Sequence, residues 1–555
     1  MHVKRRKMRF AITVKGSSLE QWKLECVERL KNMSEVEMAL IIEYQVQPGN
    51  QSHSALFRAY QSVVTKRSKT LKKVPIPDHF NSIPKVRCEN LWDMKSSFSK
   101  EEVSLIKEYN LDFILHLEEE SMEGGVLDTA EYGVWTFIHG NPNLSSHIPG
   151  GWWEVWNNLP VTEVALCGLI NGSNEGTVWR KGYFGTVKES YQKTKEILCQ
   201  STLDWPALIC KEILRNPCHS PAKMESFSVN ANHVMLTSTT KTAAFIFASW
   251  KRKIKKLYRK LFCYEYWNIG IVNKPIQTFL KDKNPSIDWI VQRNDCYYAD
   301  PFGLIDENGI HILMEEVDHR VVKGFITGLR MKDDLQSKEK MDWDHSLFKL
   351  ESHMSYPYLI EFEGVNYCIP ETSEAKEVAV YKVTNGKLKK EKTIIKDFAA
   401  VDSTIVKHNG FWWLFCTRAD SGPQSDNSEL HIFFAKELFG EWNPHLANPV
   451  KVDVRSSRPA GTPFLFENVL IRPAQDCSET YGGRIILNEV TTLTKDKFEE
   501  VAISPIEPRE DSLYPDGVHT ISTIGDMTIF DGKRFDYSLF HFFRKLYKFM
   551  PVKGL

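Results

Sequence analysis

The chain has 555 residues, 71 basic and 71 acidic side chains and 42% hydrophobic residues, enough for roughly two to four domains with buried cores. Balanced charge argues against a nucleic-acid binder, which needs a basic excess for phosphate contacts, and the apolar content excludes a disordered chain. The eleven cysteines form no Cys-x-x-Cys pair, so reduced, buried thiols are expected rather than a zinc ribbon or a disulfide framework.

At the N-terminus a basic start leads into only five strand-like residues, Phe10–Val14, too short for the core of a signal peptide. No 18-residue apolar window follows, so the expected location is cytoplasmic, extending to the inner face of the membrane. Up to about residue 200, short apolar runs (Phe10–Val14, Ala39–Tyr44, Phe113–Leu117, Val134–Ile138 and Val164–Ile170) are interleaved with the helical spacing of Leu19–Leu30. Alternation of this kind predicts an α/β domain over 1–200 with a mostly parallel sheet.

Residues 201–264 read as a linker ending in a basic amphipathic helix. From Lys251 to Lys260 there are seven basic residues and no acid, and Phe247, Trp250, Ile254, Leu257, Tyr258 and Leu261 recur on one helical stripe. Two readings stand: docking of 247–262 on anionic lipid headgroups, or packing of the stripe on the following domain with the charges solvated. The aromatic and basic segment Phe540–Phe549 favours the membrane.

Over 265–555 helical periodicity nearly vanishes and a hairpin signature repeats. It reads Ala299-Asp300-Pro301-Phe302, Ser355-Tyr356-Pro357-Tyr358, Val401-Asp402-Ser403-Thr404, Gly461-Thr462-Pro463-Phe464 and Pro515-Asp516-Gly517-Val518. Turn residues such as Asn308-Gly309, Glu363-Gly364 and Asn409-Gly410 follow the early copies. Steps of 56, 46, 60 and 54 residues separate positions 300, 356, 402, 462 and 516, which is a propeller's period. Five units predict an all-β five-bladed propeller, closed by Trp267–Val272 pairing with C-terminal sequence; a β-sandwich is the competing arrangement. A propeller would gather the signature residues at one mouth of its channel. Asp300, Glu371, Asp402 and Asp516 are the candidate catalytic acids there, with His353, Tyr356, Arg458, Arg472, Asp476 and His519 as substrate-binding groups, suited to acid/base work on a hydroxyl-rich or phosphorylated ligand.

The blades Tyr298–Phe302, Ser355–Pro357 with Pro370–Ser373, and Ser457–Pro463 followed by Arg472–Cys477 resemble the propeller domain of the glucosamine inositolphosphorylceramide transferase family, itself related to glycoside hydrolase family 43. That relationship implies an Asp base in the first blade, matched by Asp300, a tuning Asp in the second, where Tyr356 stands, and a Glu acid in the third, where Asp402 stands. The substitutions imply a transferase rather than a hydrolase, with Asp300 deprotonating an acceptor hydroxyl and Arg458 and Arg472 holding the diphosphate of a nucleotide sugar. Partners would be a sugar nucleotide and a glycan or glycolipid acceptor of cell-surface polysaccharide or glycolipid assembly. Asp342-Trp343-Asp344 lies outside a strand-to-helix context and is read as coincidence, so no metal is expected.

Residues 8–191 are similar to the formyltransferase fold, a Rossmann-like parallel sheet, through Tyr132–Gly140, Gly150–Val155 and Asn174–Gly176. That family pairs an Asn and a His with a later Asp; His139 matches, whereas Phe137 takes the Asn position and Asn174 the Asp position, with Asn141 and Glu175 as stand-ins. The resemblance implies a degenerate unit, with 10-formyltetrahydrofolate as cofactor only if it is active. A sugar N-formyltransferase and a non-catalytic glycan-binding scaffold remain the alternatives to glycosyl transfer.

Overall fold

The computed structural model describes residues 6–46, 53–91, 98–118, 122–140, 149–169, 176–216, 222–223, 237–282, 285–292, 296–306, 309–318, 324–331, 341–348, 354–384 and 387–549. The chain divides into two compact units, 1–254 and 255–555. The described cysteines are free thiols, all buried except Cys477, which is partly exposed.

In the first unit an eight-stranded sheet runs in the order Lys85–Leu91, Val36–Val46, Met8–Lys15, Phe113–His116, Val134–His139, Val161–Leu169, Gly176–Gly185, Ala222–Lys223. The first five are mutually parallel, and the last three join antiparallel. The sheet is therefore mixed rather than mostly parallel throughout. Continuous apolar runs such as Phe10–Val14, buried at every position, occupy its centre because helices cover parallel strands on both faces. The helix Trp205–Arg215 belongs to this unit, burying Trp205, Ile209, Cys210 and Ile213.

The basic helix runs from Thr239 to Phe262. Its first half folds with the first unit: Phe245 stacks on Trp152 with ring centroids 3.8 Å apart, and Arg252 donates to the carbonyls of Val155 and Lys188 at 2.8 and 2.7 Å. One of the seven cations is thus tied to backbone rather than solvated.

Among its described residues the second unit contains five antiparallel sheets, four of them built from consecutive strands. These run over Cys296–Phe348, Ser355–Lys396, Ala400–Pro444 (with Lys451–Val452 added) and Phe464–Ile506. The fifth combines both ends of the unit, in the order Ile521–Ile524, Met527–Tyr537, Cys263–Val272, Asp288–Trp289. This is a five-bladed β-propeller, its ring closed by a ten-residue antiparallel ladder from Cys263↔Tyr537 to Val272↔Thr528. Apolar layers fill the gaps between blades, with Phe302, Tyr356, Tyr358, Leu414 and Phe433 in one continuous cluster and Val272, Phe464, Ile485 and Phe530 in another.

In the first three blades the inner strand meets its neighbour through a bulge, two residues facing one, at Asp300-Pro301, Tyr356-Pro357 and Asp402-Ser403. The leading residue of each takes a left-handed conformation, with φ of 52°, 45° and 52°. In the fourth blade that conformation falls on Gly461 (φ 108°) rather than on Thr462. In the fifth the inner strand begins at Ile521, so His519 and Thr520 precede it, and the signature Asp516 is out of register with its supposed equivalents.

Candidate functional site

The bulges aim side chains inward and lock adjacent blades together. Tyr356 Oη lies 2.9 Å from Thr404 Oγ1 and accepts from the Gly461 N–H at 2.6 Å, linking blades two, three and four. Ser522 Oγ donates to the Pro301 carbonyl at 2.6 Å, joining blade five to blade one.

Inside this ring stand Asp300, Asp402, His519 and Asp531, none more than 4% exposed. The Asp300 carboxylate accepts from Thr520 Oγ1 at 2.6 Å, and His519 Nε2 lies 3.4 Å from the same oxygen. On the far side of the ring His519 Nδ1 pairs with Asp531 Oδ2 at 2.6 Å. Asp531 is itself fixed by the N–H groups of His519 and Thr520, at 2.9 and 3.0 Å, and its other oxygen accepts from the Asp300 N–H at 3.0 Å. The result is a carboxylate–imidazole–carboxylate line from blade five to blade one. Ligand atoms of Asp300, His519 and Asp531 lie within 4.8 Å of one another, near enough to hold a cation, although Nδ1 is already turned to Asp531.

Beside this line Asp402 receives Arg458 Nε at 2.6 Å and Gln475 Nε2 at 2.8 Å. Its own N–H donates to Glu371 Oε2 at 3.3 Å, while Ser373 Oγ holds the other Glu371 oxygen at 2.8 Å. The Arg458 guanidinium stacks 5.0 Å above the ring of Tyr481, which is 40% exposed.

Burial drives the electrostatics. It pushes the Asp300 pKa up to about 6, with His519 opposing and Asp402 and Asp531 adding repulsion. Burial also pushes Asp402 up to about 7, Arg458 pulling it down and Glu371 pushing it up. Glu315 is held well above the ordinary range by burial and by Asp300, Glu371, Asp402 and Asp531. For His519 burial opposes the charge, but Asp531 and Asp300 outweigh it and raise the imidazole's pKa. Groups separated by more than 200 residues therefore share one field, as a closed ring requires.

Other expected members sit elsewhere. Arg472 does not face the channel: its guanidinium binds Glu500 at 2.8 and 2.7 Å and the carbonyls of Ser456 and Ser457, because Glu500 on the neighbouring strands also collects Lys451. Asp476 pairs with Arg484 at 2.9 Å and caps the Ser478 N–H. Asp516 accepts from the Phe535 N–H at 2.7 Å, a consequence of its register offset. Tyr356 has its hydroxyl enclosed between blades. His353 lies outside the described residues, as do Asn141, Asn174 and Glu175; Asp342, Trp343 and Asp344 lie on the outer strand of blade one, with backbone alone described.

Glu315, Gln475, Tyr481 and Asp531 were not singled out by the sequence. A signal was present: Glu315 stands within the largely apolar stretch Ile310–Val317 and Asp531 directly follows Thr528–Phe530, each an acid on a second strand that is otherwise buried.

In the first unit His139 ends the strand Val134–His139. Its ring stacks on Phe137 with centroids 5.7 Å apart and meets the edge of Trp22. Gly150 presses on it so closely that an added Cβ would lie 2.3 Å from the His139 Cβ.

Fold and site define a five-bladed propeller with a buried cluster of carboxylates, an imidazole and a guanidinium gathered on and around its inner and second strands. Residues 288–512 match the family described as glucosamine inositolphosphorylceramide transferase 1, N-terminal. A protein named glucosamine inositolphosphorylceramide transferase 1 from Oryza sativa subsp. japonica is 31% identical over 214 residues, 38% of this chain and 28% of its own length. Its namesake from Arabidopsis thaliana is 30% identical over 267 residues, 43% of this chain and 34% of its own length. The chain thus covers about a third or less of these relatives. Among solved structures, an exo-β-1,3-galactanase from Clostridium thermocellum overlaps 39% of this chain and 53% of its own at 10% identity and a TM-score of 0.30. The catalytic domain of a Coprinopsis cinerea GH62 α-L-arabinofuranosidase overlaps 42% and 90% at 10% identity, also with a TM-score of 0.30.

Proposed function

We propose that the second unit transfers a sugar from a nucleotide sugar to a hydroxyl of a glycolipid, with Asp300 as the general base. The observation that carries this reading is the line Asp531–His519–Asp300. A carboxylate with a pKa near 6 is mostly ionised at neutral pH yet basic enough to take a proton in the transition state. Asp300 accepts the acceptor's hydroxyl proton, the acceptor oxygen bonds to the anomeric carbon, and the bond from that carbon to the diphosphate breaks. His519, oriented by Asp531, positions the Asp300 carboxylate. Arg458 is the cation for the departing diphosphate, its fork held by Asp402, which Gln475 holds in turn. The match over 288–512 to a family named for a glycolipid sugar transferase supports the same reaction class.

The first unit fits a formyltransferase-like scaffold without turnover. Its five parallel strands and its strand-end His139 support that reading, while Phe137 offers no donor where the chemistry requires one.

The test is incubation of the full chain with a panel of nucleotide sugars and glycolipid acceptors, following nucleotide release. Asp300→Asn should lower release by about 100-fold or more while leaving sugar binding intact. Release undiminished in that variant refutes the base assignment. Stabilisation of the chain by a folate, with none by any nucleotide sugar, would shift the function to the first unit, and sugar binding with no turnover would make the propeller a glycan-binding scaffold.

A further inference from the structure

Two helices of the second unit lie side by side. The last turns of the basic helix, 255–262, carry Lys255, Lys256, Arg259 and Lys260, and the final helix, Leu539–Phe549, carries Arg544, Lys545 and Lys548. Neither segment holds an acid. The helices are joined by Lys545 Nζ donating to the carbonyls of Lys260 and Cys263 at 2.8 and 2.6 Å. Phe542 stacks on Phe262 with centroids 5.2 Å apart, and Tyr537 stacks on Tyr258 at 6.3 Å.

What the pair does not bury is more telling. Leu539, Phe540 and Phe543 are 71%, 64% and 63% exposed, and Leu257, Tyr258 and Tyr537 are each about half exposed. Large apolar side chains clustered so openly mark an interaction surface. Among the described residues no helix is long and apolar enough to cross a membrane, so the pair would lie on a bilayer rather than span it. A protein groove would satisfy the aromatic rings alone; the excess of positive charge beside them, offset by Glu265 on Arg259 and Asp536 beside His541, calls for an anionic partner.

We propose that this helix pair docks the protein on an anionic lipid bilayer, with Leu539, Phe540 and Phe543 entering the boundary between headgroups and acyl chains and Lys255 and Lys256 held over the phosphates. The assignment stands on this surface alone and is independent of the propeller's chemistry.

Flotation of the full chain with phosphatidylglycerol vesicles and with phosphatidylcholine vesicles tests it. Binding should be at least about tenfold stronger to the anionic vesicles and should weaken by a similar factor in high salt, where the field is screened. Phe540→Ser with Phe543→Ser, and separately Lys255→Gln with Lys256→Gln, should each weaken binding by roughly tenfold or more, with the thermal transition of each variant confirming a folded chain. Equal binding to both vesicle types, or no binding to either, overturns the proposal. So does a concentration-dependent dimer that the aromatic variant abolishes while vesicles bind neither form, because the patch would then pair two copies of the chain.

Discussion

At the scale of single residues, the buried acids make stability depend on pH in a defined direction. A carboxylate whose folded pKa lies above its unfolded value of about 4 binds protons more tightly when folded, so its contribution is greatest in acid and fades as pH rises through the folded value. Asp300, near 6, and Asp402, near 7, both behave this way, and the raised His519 adds to the trend because its charged form is favoured by folding. The melting temperature should therefore fall between pH 5 and pH 8, and Asp300→Asn should flatten that slope; a wild-type melting temperature that rises over this interval would contradict the burial of these groups. The two arginines separate just as clearly. Arg472→Ala leaves the buried Glu500 with Lys451 as its remaining cation and should destabilise the protein by about 3 kcal/mol with KM for the nucleotide sugar unchanged. Arg458→Lys keeps a charge but loses the fork to Asp402 and should raise KM or lower kcat with a smaller stability loss; denaturation curves and steady-state kinetics on both variants distinguish the roles. Asp300 and Arg458 were legible in the sequence because each belongs to a repeated or distinctive string. Arg472 was misplaced because its membership of the Arg472–Cys477 string says nothing about which side of a strand it faces.

Among elements, the bulge at the head of the inner strand is the repeated device. A left-handed conformation at Asp300, Tyr356 and Asp402 costs each position on the order of 1 kcal/mol and turns the side chain toward the channel or the next blade. The fourth blade shows why glycine is required there: a Cβ on Gly461 would stand 1.8 Å from the Ile521 carbonyl oxygen, in addition to the strain of φ 108°. Gly461→Ala should thus cost well over about 3 kcal/mol, since a backbone atom cannot move aside as a side chain can; a normal thermal transition in that variant would mean the blades are not joined at this bridge. Tyr356→Phe probes the same junction more gently. It leaves the buried Gly461 N–H without its acceptor and should cost about 1–3 kcal/mol, measurable by denaturant titration. The blade period was readable because small, acidic and proline residues recur where the bulges form. The fifth blade slipped because its inner strand opens without a bulge: His519 and Thr520 take the place of the small-acidic-proline string, and Asp516-Gly517 imitates it three residues too early.

For the whole molecule, the decisive fact is that the site exists only when the ring is closed. Asp300 enters the second unit early and Asp531 late, and they meet because Cys263–Val272, which precedes the first blade, pairs with Met527–Tyr537, which follows the fourth. That closing strand is flanked on both sides at Ile271, which faces Ile529 and Asp288. Ile271→Pro removes a backbone donor from a central position, where proline is not tolerated, and should open the ring between the first and last blades. Nucleotide release is then expected to fall as far as in Asp300→Asn, although no residue of the cluster has been altered and the Asp300 strand keeps its own sheet. Ile271→Val, which preserves the donor and most of the apolar surface, should restore release to near the wild-type rate. If the proline variant instead turned over normally, Asp531 and His519 would not be needed to position Asp300, and the catalytic line across the two ends of the chain would have to be abandoned even with the propeller intact.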